Sequence, residues 1–215
     1  MKKKFKLIPF IIFSLLFIEA IPFVEEKSQN SFNTIENKVM EECDFVQNGI
    51  KMEYVSQSTF KDEQYRLLME LKKNIKDDIQ LNKNKIIYKD LEKEITVNIW
   101  EEKNKTKVEI IYLNNKNTKK SADLKKELVK FQNNKSIQVR YFTFIKGKIK
   151  TSDENYVQEL LKNYIKEGTL ESLDIHNGYV AKAKLRDNQR VNVGNVKYDT
   201  GEYIVVGTPM IFITY

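Results

Sequence analysis

Chemistry in this chain would have to come from few residues. There is one histidine, His176, in the run Ile175-His176-Asn177-Gly178, and one cysteine, Cys43. A single imidazole leaves no multi-histidine metal centre, and a histidine-based triad only if carboxylates supply everything else. His176 therefore reads as part of a turn. Adjacent acids occur at Glu41-Glu42, Asp77-Asp78, Glu101-Glu102 and Asp153-Glu154. Neighbours diverge around a helix and face opposite sides of a strand, so these read as solvated surface rather than an acid-base pair. Neither Lys146-Gly147-Lys148 nor Gly194 sits in a phosphate-cradling loop, and Gly207-Thr208-Pro209 is a turn signal, not a nucleotide motif. No catalytic residue, metal ligand or cofactor is expected. The residues that remain are basic. Along Gly178 to Arg186, Tyr179, Ala181, Ala183 and Leu185 pack inward, while Lys182, Lys184 and Arg186 project from the other face, with Arg190 or Lys197 near on the next strand. Such a stripe suits an anionic wall polymer or lipid surface. Lysines on an exposed sheet also serve solubility and discourage edge pairing.

To carry that stripe the chain must build a sheet, and its hydrophobic spacing spells one out twice. Residues 25–33 are polar and read as a tether. The first half, 34–134, begins with a helix capped by Asn33 with Glu36 three residues on, striped by Ile35, Val39, Cys43 and Val46 and closed by Gly49. Cys43 falls on its buried face as a small core hydrophobe. A strand over Ile50 to Ser58 leads into a long helix from Thr59 with Leu68, Leu71, Ile75 and Ile79 on one face. Strand-like runs follow at Lys85 to Tyr88, Glu94 to Trp100 and Thr106 to Leu113, then a helix bearing Leu124, Leu128 and Phe131. The second half, 135–215, repeats the plan: a strand over Ser136 to Ile145, a capping box at Thr151 to Glu154 opening a helix with Val157, Leu160, Leu161 and Tyr164 that ends at Gly168, and strands near Thr169 to Ile175, Gly178 to Leu185, Gln189 to Tyr198, Glu202 to Val206 and Met210 to Tyr215. A duplicated strand, helix and run of hairpins predicts the α+β class, a curved antiparallel sheet backed by helices on one side.

The first 24 residues differ from all of this. Lys2, Lys3, Lys4 and Lys6 precede the apolar run Leu7 to Ile18, the arrangement of an export signal, so the folded part is expected outside the cytoplasm. The apolar run is about twelve residues if Glu19 ends it and about eighteen if Glu19 is tolerated and Phe23 and Val24 are included, against the roughly 20 needed to span a bilayer, so residues 1–24 read either as a cleaved signal peptide or as an N-terminal membrane anchor. Cys43 lies too far downstream for lipid attachment, and one cysteine permits no internal disulfide. The formal charge of +7 includes the four lysines and Glu19 of this segment, leaving a mild basic excess that is no nucleic-acid signature.

The segment Gln189 to Tyr215, QRVNVGNVKYDTGEYIVVGTPMIFITY, resembles the end of the YwmB family, secreted or anchored proteins of spore-forming Gram-positive bacteria. Its most specific part is GTPMIFITY, with Gly207, Thr208, Pro209, Ile211 and Tyr215, and VNVGNVKY is similar to the preceding strand. Thr214 and the pair Asn195-Val196 depart from the family pattern. The resemblance implies a fold similar to the TATA-box-binding protein, Gly207, Thr208, Pro209 and Tyr215 in structural roles, and no DNA function or established activity. An exported domain does not normally meet DNA. The expectation is a non-catalytic cell-envelope protein that binds an envelope protein or wall component, with the link to sporulation that the resemblance implies. The alternatives are an anionic-polymer or lipid binder through the basic stripe, and an enzyme of unrecognised kind. No nucleic-acid partner is expected, and the membrane is a partner through the N-terminal segment if that is uncleaved.

Overall fold

In the computed structural model, which describes residues 25–75, 78–151, 153 and 155–213, the alternating runs pair into one antiparallel sheet of ten strands. In chain order the elements are α1 (Glu25–Glu42), β1 (Asp44–Ser56), α2 (Phe60–Asn74), β2 (Gln80–Leu81), β3 (Lys85–Lys89), β4 (Lys93–Glu102), β5 (Lys105–Asn114), α3 (Ser121–Val129), β6 (Ser136–Lys148), α4 (Tyr156–Lys162), β7 (Glu171–Ile175), β8 (Gly178–Lys184), β9 (Arg190–Tyr198) and β10 (Gly201–Thr208). The sheet order β2-β3-β4-β5-β1-β6-β10-β9-β8-β7 is mirrored about the seam between β1 and β6. In each half the first strand lies at the seam, the last lies beside it, and the others step outward. The fold is therefore α+β, a ten-stranded antiparallel sheet with four helices among the described residues. The expected signal or anchor, residues 1–24, lies outside them.

Strand periodicity sorts side chains to two faces, and the helices take one. Over the first half, Leu67, Leu71 and Ile75 of the α2 segment and Leu124, Leu128 and Phe131 of the α3 segment pack on Ile50, Met52, Val97, Ile99, Ile110 and Tyr112. Each such buried side chain contributes about 1.5–3 kcal/mol. Thr59 caps α2 by accepting from the Asp62 N–H, and Asp62 and Glu63 complement the positive end of the helix.

The second half draws on a helix from the start of the chain. Phe32, Ile35, Val39 and Cys43 pack with Val157, Leu160 and Leu161 of α4 over Ile145, Val193, Ile204 and Val206. Gly147 permits this approach, since a Cβ there would lie 2.8 Å from both Cys43 Cβ and Val39 Cγ1. The same contact explains why the expected tether, 25–33, is helical. Phe32 is buried a turn ahead of Ile35, no glycine or proline interrupts the residues before it, and Asn33 lies inside α1 instead of capping it.

Several boundaries differ from expectation. Helix α1 stops at Glu42 rather than Gly49, and Val46 and Gly49 belong to β1. Gly49 is a spacing residue in mid-strand, where a Cβ would sit 2.6 Å from the Phe144 ring and 2.7 Å from the Tyr112 carbonyl oxygen. The expected last strand, Met210 to Tyr215, is absent over its described residues 210–213. β10 already has β6 on one side and β9 on the other, so the chain leaving it has no sheet edge to join. It folds back instead over the helix-free face, with the Phe212 ring edge-on to Phe144 at 5.1 Å. Helix α4 begins at Tyr156 and ends at Lys162, well short of Gly168, and its cap residue Asn155 makes no side-chain capping bond. Thr151 instead accepts from the Asp153 N–H, and Glu154, the other end of the expected box, lies outside the described residues.

Candidate functional site

The helix-free face of the sheet is where the basic residues gather, and the ladder register fixes which share it. On strands β1–β5 the face carries Lys51, Lys85, Lys89, Lys105 and Lys107 together with Glu53, Glu94, Glu102 and Glu109. These charges pair: Lys51 with Glu53 at 2.6 Å and Glu109 at 3.3 Å, Lys89 with Glu94 at 2.9 Å, and Lys107 with Glu102 at 3.5 Å. Glu53 also takes Arg140 of β6 at 2.7 Å. On strands β6–β10 the face carries, besides Arg140, Lys146, Lys148, Lys182, Lys184 and Arg190, with Glu171 as the carboxylate among the described residues of these strands.

The expected stripe of Lys182, Lys184 and Arg186 is only partly assembled. Tyr179, Ala181, Ala183 and Leu185 do pack toward the helices, and Lys182 and Lys184 do project from the other side. Lys182 is held by Glu171 at 2.9 Å. Arg186 leaves the face, because β8 ends at Lys184 and the Arg186 N–H turns to the Tyr164 carbonyl, which carries the residue to the α4 side. Lys184 instead lies opposite Arg190 in the ladder, while Lys197 faces the helix side.

The better-built cluster is one that strand spacing alone does not reveal. Lys146 Nζ sits 5.1 Å from the Tyr203 ring centroid and 5.8 Å from that of Tyr198, and the two rings meet edge to face at 5.7 Å. Lys148, opposite Tyr203, extends across Gly201. Asp44 is opposite Lys148 in the other ladder but pairs with Lys150 at 3.2 Å. Among the described residues no carboxylate is within ion-pair distance of Lys146, Lys148, Lys184 or Arg190. A cation over a ring is worth about 0.5–1 kcal/mol when exposed, so the tyrosines hold the Lys146 ammonium in place without neutralising it. Lys146 and Lys148 flank Gly147 like a phosphate loop but belong to β6. Their alternation with Ile145 and Ile149, both buried, was the available signal.

The motif glycine and its neighbours are structural. A Cβ on Gly207 would meet Ile211 Cγ1 at 2.8 Å, the Thr208 hydroxyl donates to the Arg190 carbonyl at 2.9 Å, and the Pro209 carbonyl accepts from the Asn192 amide at 2.7 Å. Together they fold the tail onto the face. Tyr215 lies outside the described residues.

Elsewhere, buried polar groups bind elements together. Glu36 of α1 is fully buried and accepts from the Asn48 amide at 3.0 Å, the Ser121 N–H at 2.9 Å and the Ser121 hydroxyl at 2.6 Å, so one helix caps another that lacks a side-chain cap of its own. In the first-half core, Tyr54 donates to Glu63 at 2.7 Å and Arg66 donates to Glu63 at 2.6 Å and to the Phe131 carbonyl at 2.8 Å. Burial alone would raise the Glu63 carboxyl, but hydrogen bonds from Arg66 and Tyr54 outweigh it and hold the pKa below the ordinary value. Burial, then the neighbouring Glu63 charge, pushes the Tyr54 phenol up. Cys43 lies 3.4 Å from the Tyr156 hydroxyl, and burial raises its thiol pKa.

Two concavities adjoin the second half. One, of about 830 Å³, lies beside α4, whose 7 residues leave uncovered a sheet surface that the 15-residue α2 covers in the first half. Leu161, Ile165, Tyr179, Ala181 and Val193 line its apolar part. The other, of about 530 Å³, lies between the tail, α1, α3 and β6. The acid pairs do not converge: Glu42 takes Lys38 at 2.6 Å, Glu102 takes Lys107, Asp153 accepts from the Asn155 N–H at 2.9 Å, and Asp77 and Glu154 are outside the described residues. His176 occupies the β7–β8 turn. Among the described residues no three of His, Cys, Asp and Glu come together as a metal site, and no helix is long and apolar enough to cross a membrane.

No protein-family model matches the chain, and no curated protein matches it. Among solved structures it is similar to DynU16, a protein in the dynemicin biosynthetic locus, at 9% identity and a TM-score of 0.20, over 61% of this chain and 65% of that one. The chain thus spans less than two thirds of the structure it matches, and at that TM-score the likeness carries no argument.

Proposed function

We propose that the protein is a non-catalytic module of the cell envelope that binds an anionic wall polymer, such as a poly(polyol phosphate), on the helix-free face of β6–β10. One observation carries the reading: among the described residues this half of the face presents Lys146, Lys148, Lys184 and Arg190 without carboxylate partners, whereas the other half neutralises most of its own charge. Tyr198 and Tyr203 add flat rings on which a sugar or polyol stretch can lie. The lysine-rich start of the chain supports an address outside the cytoplasm. The mirrored strand order supports the finer reading of the fold as TATA-box-binding-protein-like, and the Gly207-Thr208-Pro209 segment supports kinship with the YwmB family and its spore-forming setting. DNA is not the ligand in this reading. An exported domain does not normally meet DNA.

A lysine near an anionic surface contributes about 1 kcal/mol, so reversing two charges removes at least that much twice over. The full chain carrying Lys146→Glu and Lys148→Glu therefore binds poly(glycerol phosphate) at least about tenfold more weakly and with a shallower salt dependence, read by calorimetry. An unchanged affinity in a chain that unfolds at the native temperature would refute the reading. A second reading, a protein partner, is favoured by the apolar floor of the groove beside α4. Leu170→Asp at its rim, where the leucine is 53% exposed, weakens that partner and leaves polymer affinity intact, measured by the same titration.

A further inference from the structure

The two outer edges of the sheet are not alike. At one end β2 is an edge strand of only 2 residues, and the chain turns at once through Asn82 and Lys85 into β3. At the other end β7 pairs with β8 on one side and, among the described residues, with no strand on the other. An open edge is ordinarily blunted by lysine, proline or a bulge. β7 has none of these: it reads ESLDI, its register with β8 is unbroken, and all of it but Ile175 is exposed. Leu173 is 66% exposed on the helix-free side, opposite Val180, and Leu170 just ahead of the strand is exposed at the rim of the groove beside α4. An apolar edge with free backbone groups takes a further strand.

This edge is complementary to itself. Antiparallel pairing with a second copy, centred on Leu173, sets Leu173 against Leu173 and Ser172 against Asp174 twice. Ser172 and Asp174 both lie on the helix side, opposite Ala181 and Tyr179, and neither side chain has a hydrogen-bond partner among the described residues. Each serine hydroxyl can then donate to the carboxylate that faces it. Glu171, on the side of Leu173, is already held by Lys182 at 2.9 Å, so its charge is compensated where it meets Ile175 of the second copy. The rim of the adjoining groove is matched in the same way. Lys162 and Glu159 pair at 3.6 Å, whereas Lys166, Arg186, Glu167 and Asp174 make no ion pair among the described residues. Cations and anions in equal number suit a two-fold partner that presents the same four groups, and not a ligand of one sign.

We infer that β7 is the contact by which two copies of this chain join, edge to edge and antiparallel, into one sheet that runs through both. The helix-free faces of β6–β10 then lie side by side in a single surface. A long anionic polymer engages both, which raises its affinity without a new contact; that consequence rests on the proposed function, and the dimer does not. The test is sedimentation velocity of the full chain over a range of concentrations, in which the native chain sediments as a dimer. Leu173→Lys sets two like charges face to face in place of an apolar pair and raises the dimer dissociation constant at least about tenfold, and Ser172→Asp, which sets carboxylate against carboxylate, also raises it. Both side chains are exposed, so the fold of each copy is spared. Leu81→Lys at the opposite edge leaves the constant within about twofold. Under mild oxidation Leu173→Cys gives a disulfide-linked dimer, the native Cys43 being buried. A native chain that stays monomeric overturns the inference and leaves the edge to a foreign strand. A dimer that survives both β7 variants, or no cross-link through position 173, overturns it as well. Polymer titration keeps the two claims apart: if Leu173→Lys dissociates the dimer while Lys146→Glu with Lys148→Glu keeps full polymer affinity, the proposed face fails and the dimer stands.

Discussion

The two halves of the helix-free face are built on mirrored strands and carry similar numbers of cations, yet they present opposite surfaces. In β1–β5 a glutamate lies within 4 Å of Lys51, Lys89 and Lys107, and the charges cancel in pairs. In β6–β10, apart from Arg140, which Glu53 takes, Glu171 is the carboxylate among the described residues that faces Lys146, Lys148, Lys182, Lys184 and Arg190, and tyrosine rings, valines and Gly194 fill the face between them. In the proposed reading a mirrored scaffold gains a binding face without a new element, from fewer carboxylates among the described residues of one half than of the other.

The halves also differ inside, and the largest expected effect lies there. The first-half core holds the Tyr54, Glu63 and Arg66 network, and removing one partner leaves a buried charge uncompensated. Glu63→Ala costs about 3–5 kcal/mol by chemical denaturation and does not change polymer affinity, which separates the half that stabilises from the half that binds. The folded Glu63 carboxyl has a depressed pKa, so its contribution is present above the unfolded value and is lost as pH falls through the folded one. Native stability therefore drops below about pH 4, and Glu63→Gln flattens that acid limb.

Next in size, copying the first-half pattern into the second abolishes the contrast. Gly194 and Asn192 lie on the face between the cations, and Asn192→Glu beside Lys182 weakens polymer binding about fivefold, by about 1 kcal/mol. The converse exchange, Glu53→Gln with Glu109→Gln, releases Lys51 and Arg140 and gives the first half measurable affinity for the polymer, read by the same calorimetric titration. The smallest effect separates two neighbouring lysines. Lys184→Ala weakens binding a fewfold, whereas Lys182→Ala changes it little, because Lys182 already spends its charge on Glu171.

Much of the scaffold was legible in the sequence. The alternation around Ile95, Val97 and Ile99, the helical spacing of Leu124 and Leu128, and the start of a long helix near Thr59 each rest on a local rule, and each stands where that rule puts it. What was not legible depends on distant partners. Gly49 looked like a helix end because only the ring of Phe144, across the seam, reveals it as a space for close packing. Residues 25–33 looked like a tether because the second-half surface that receives Phe32 is formed by strands more than a hundred residues later. The last residues looked like a strand, and they alternate well enough to be one, but β10 offers no open edge. The candidate site shows the same division. That Lys182 and Lys184 share a face follows from period two, while the loss of Arg186 follows from where β8 ends, and the joining of Lys146 to Tyr198 and Tyr203 follows from β6 pairing with β10 across more than fifty residues of chain.

The central claim is that binding belongs to one half of the face and not to basic charge as such. The most direct measurement compares the affinity of the full chain for poly(glycerol phosphate) with that of two charge-reversed chains, Lys146→Glu with Lys148→Glu in the second half and Lys89→Glu with Lys107→Glu in the first. A loss of at least about tenfold from the first pair and little from the second is the predicted result. Equal losses from both pairs, or none from either, would contradict it.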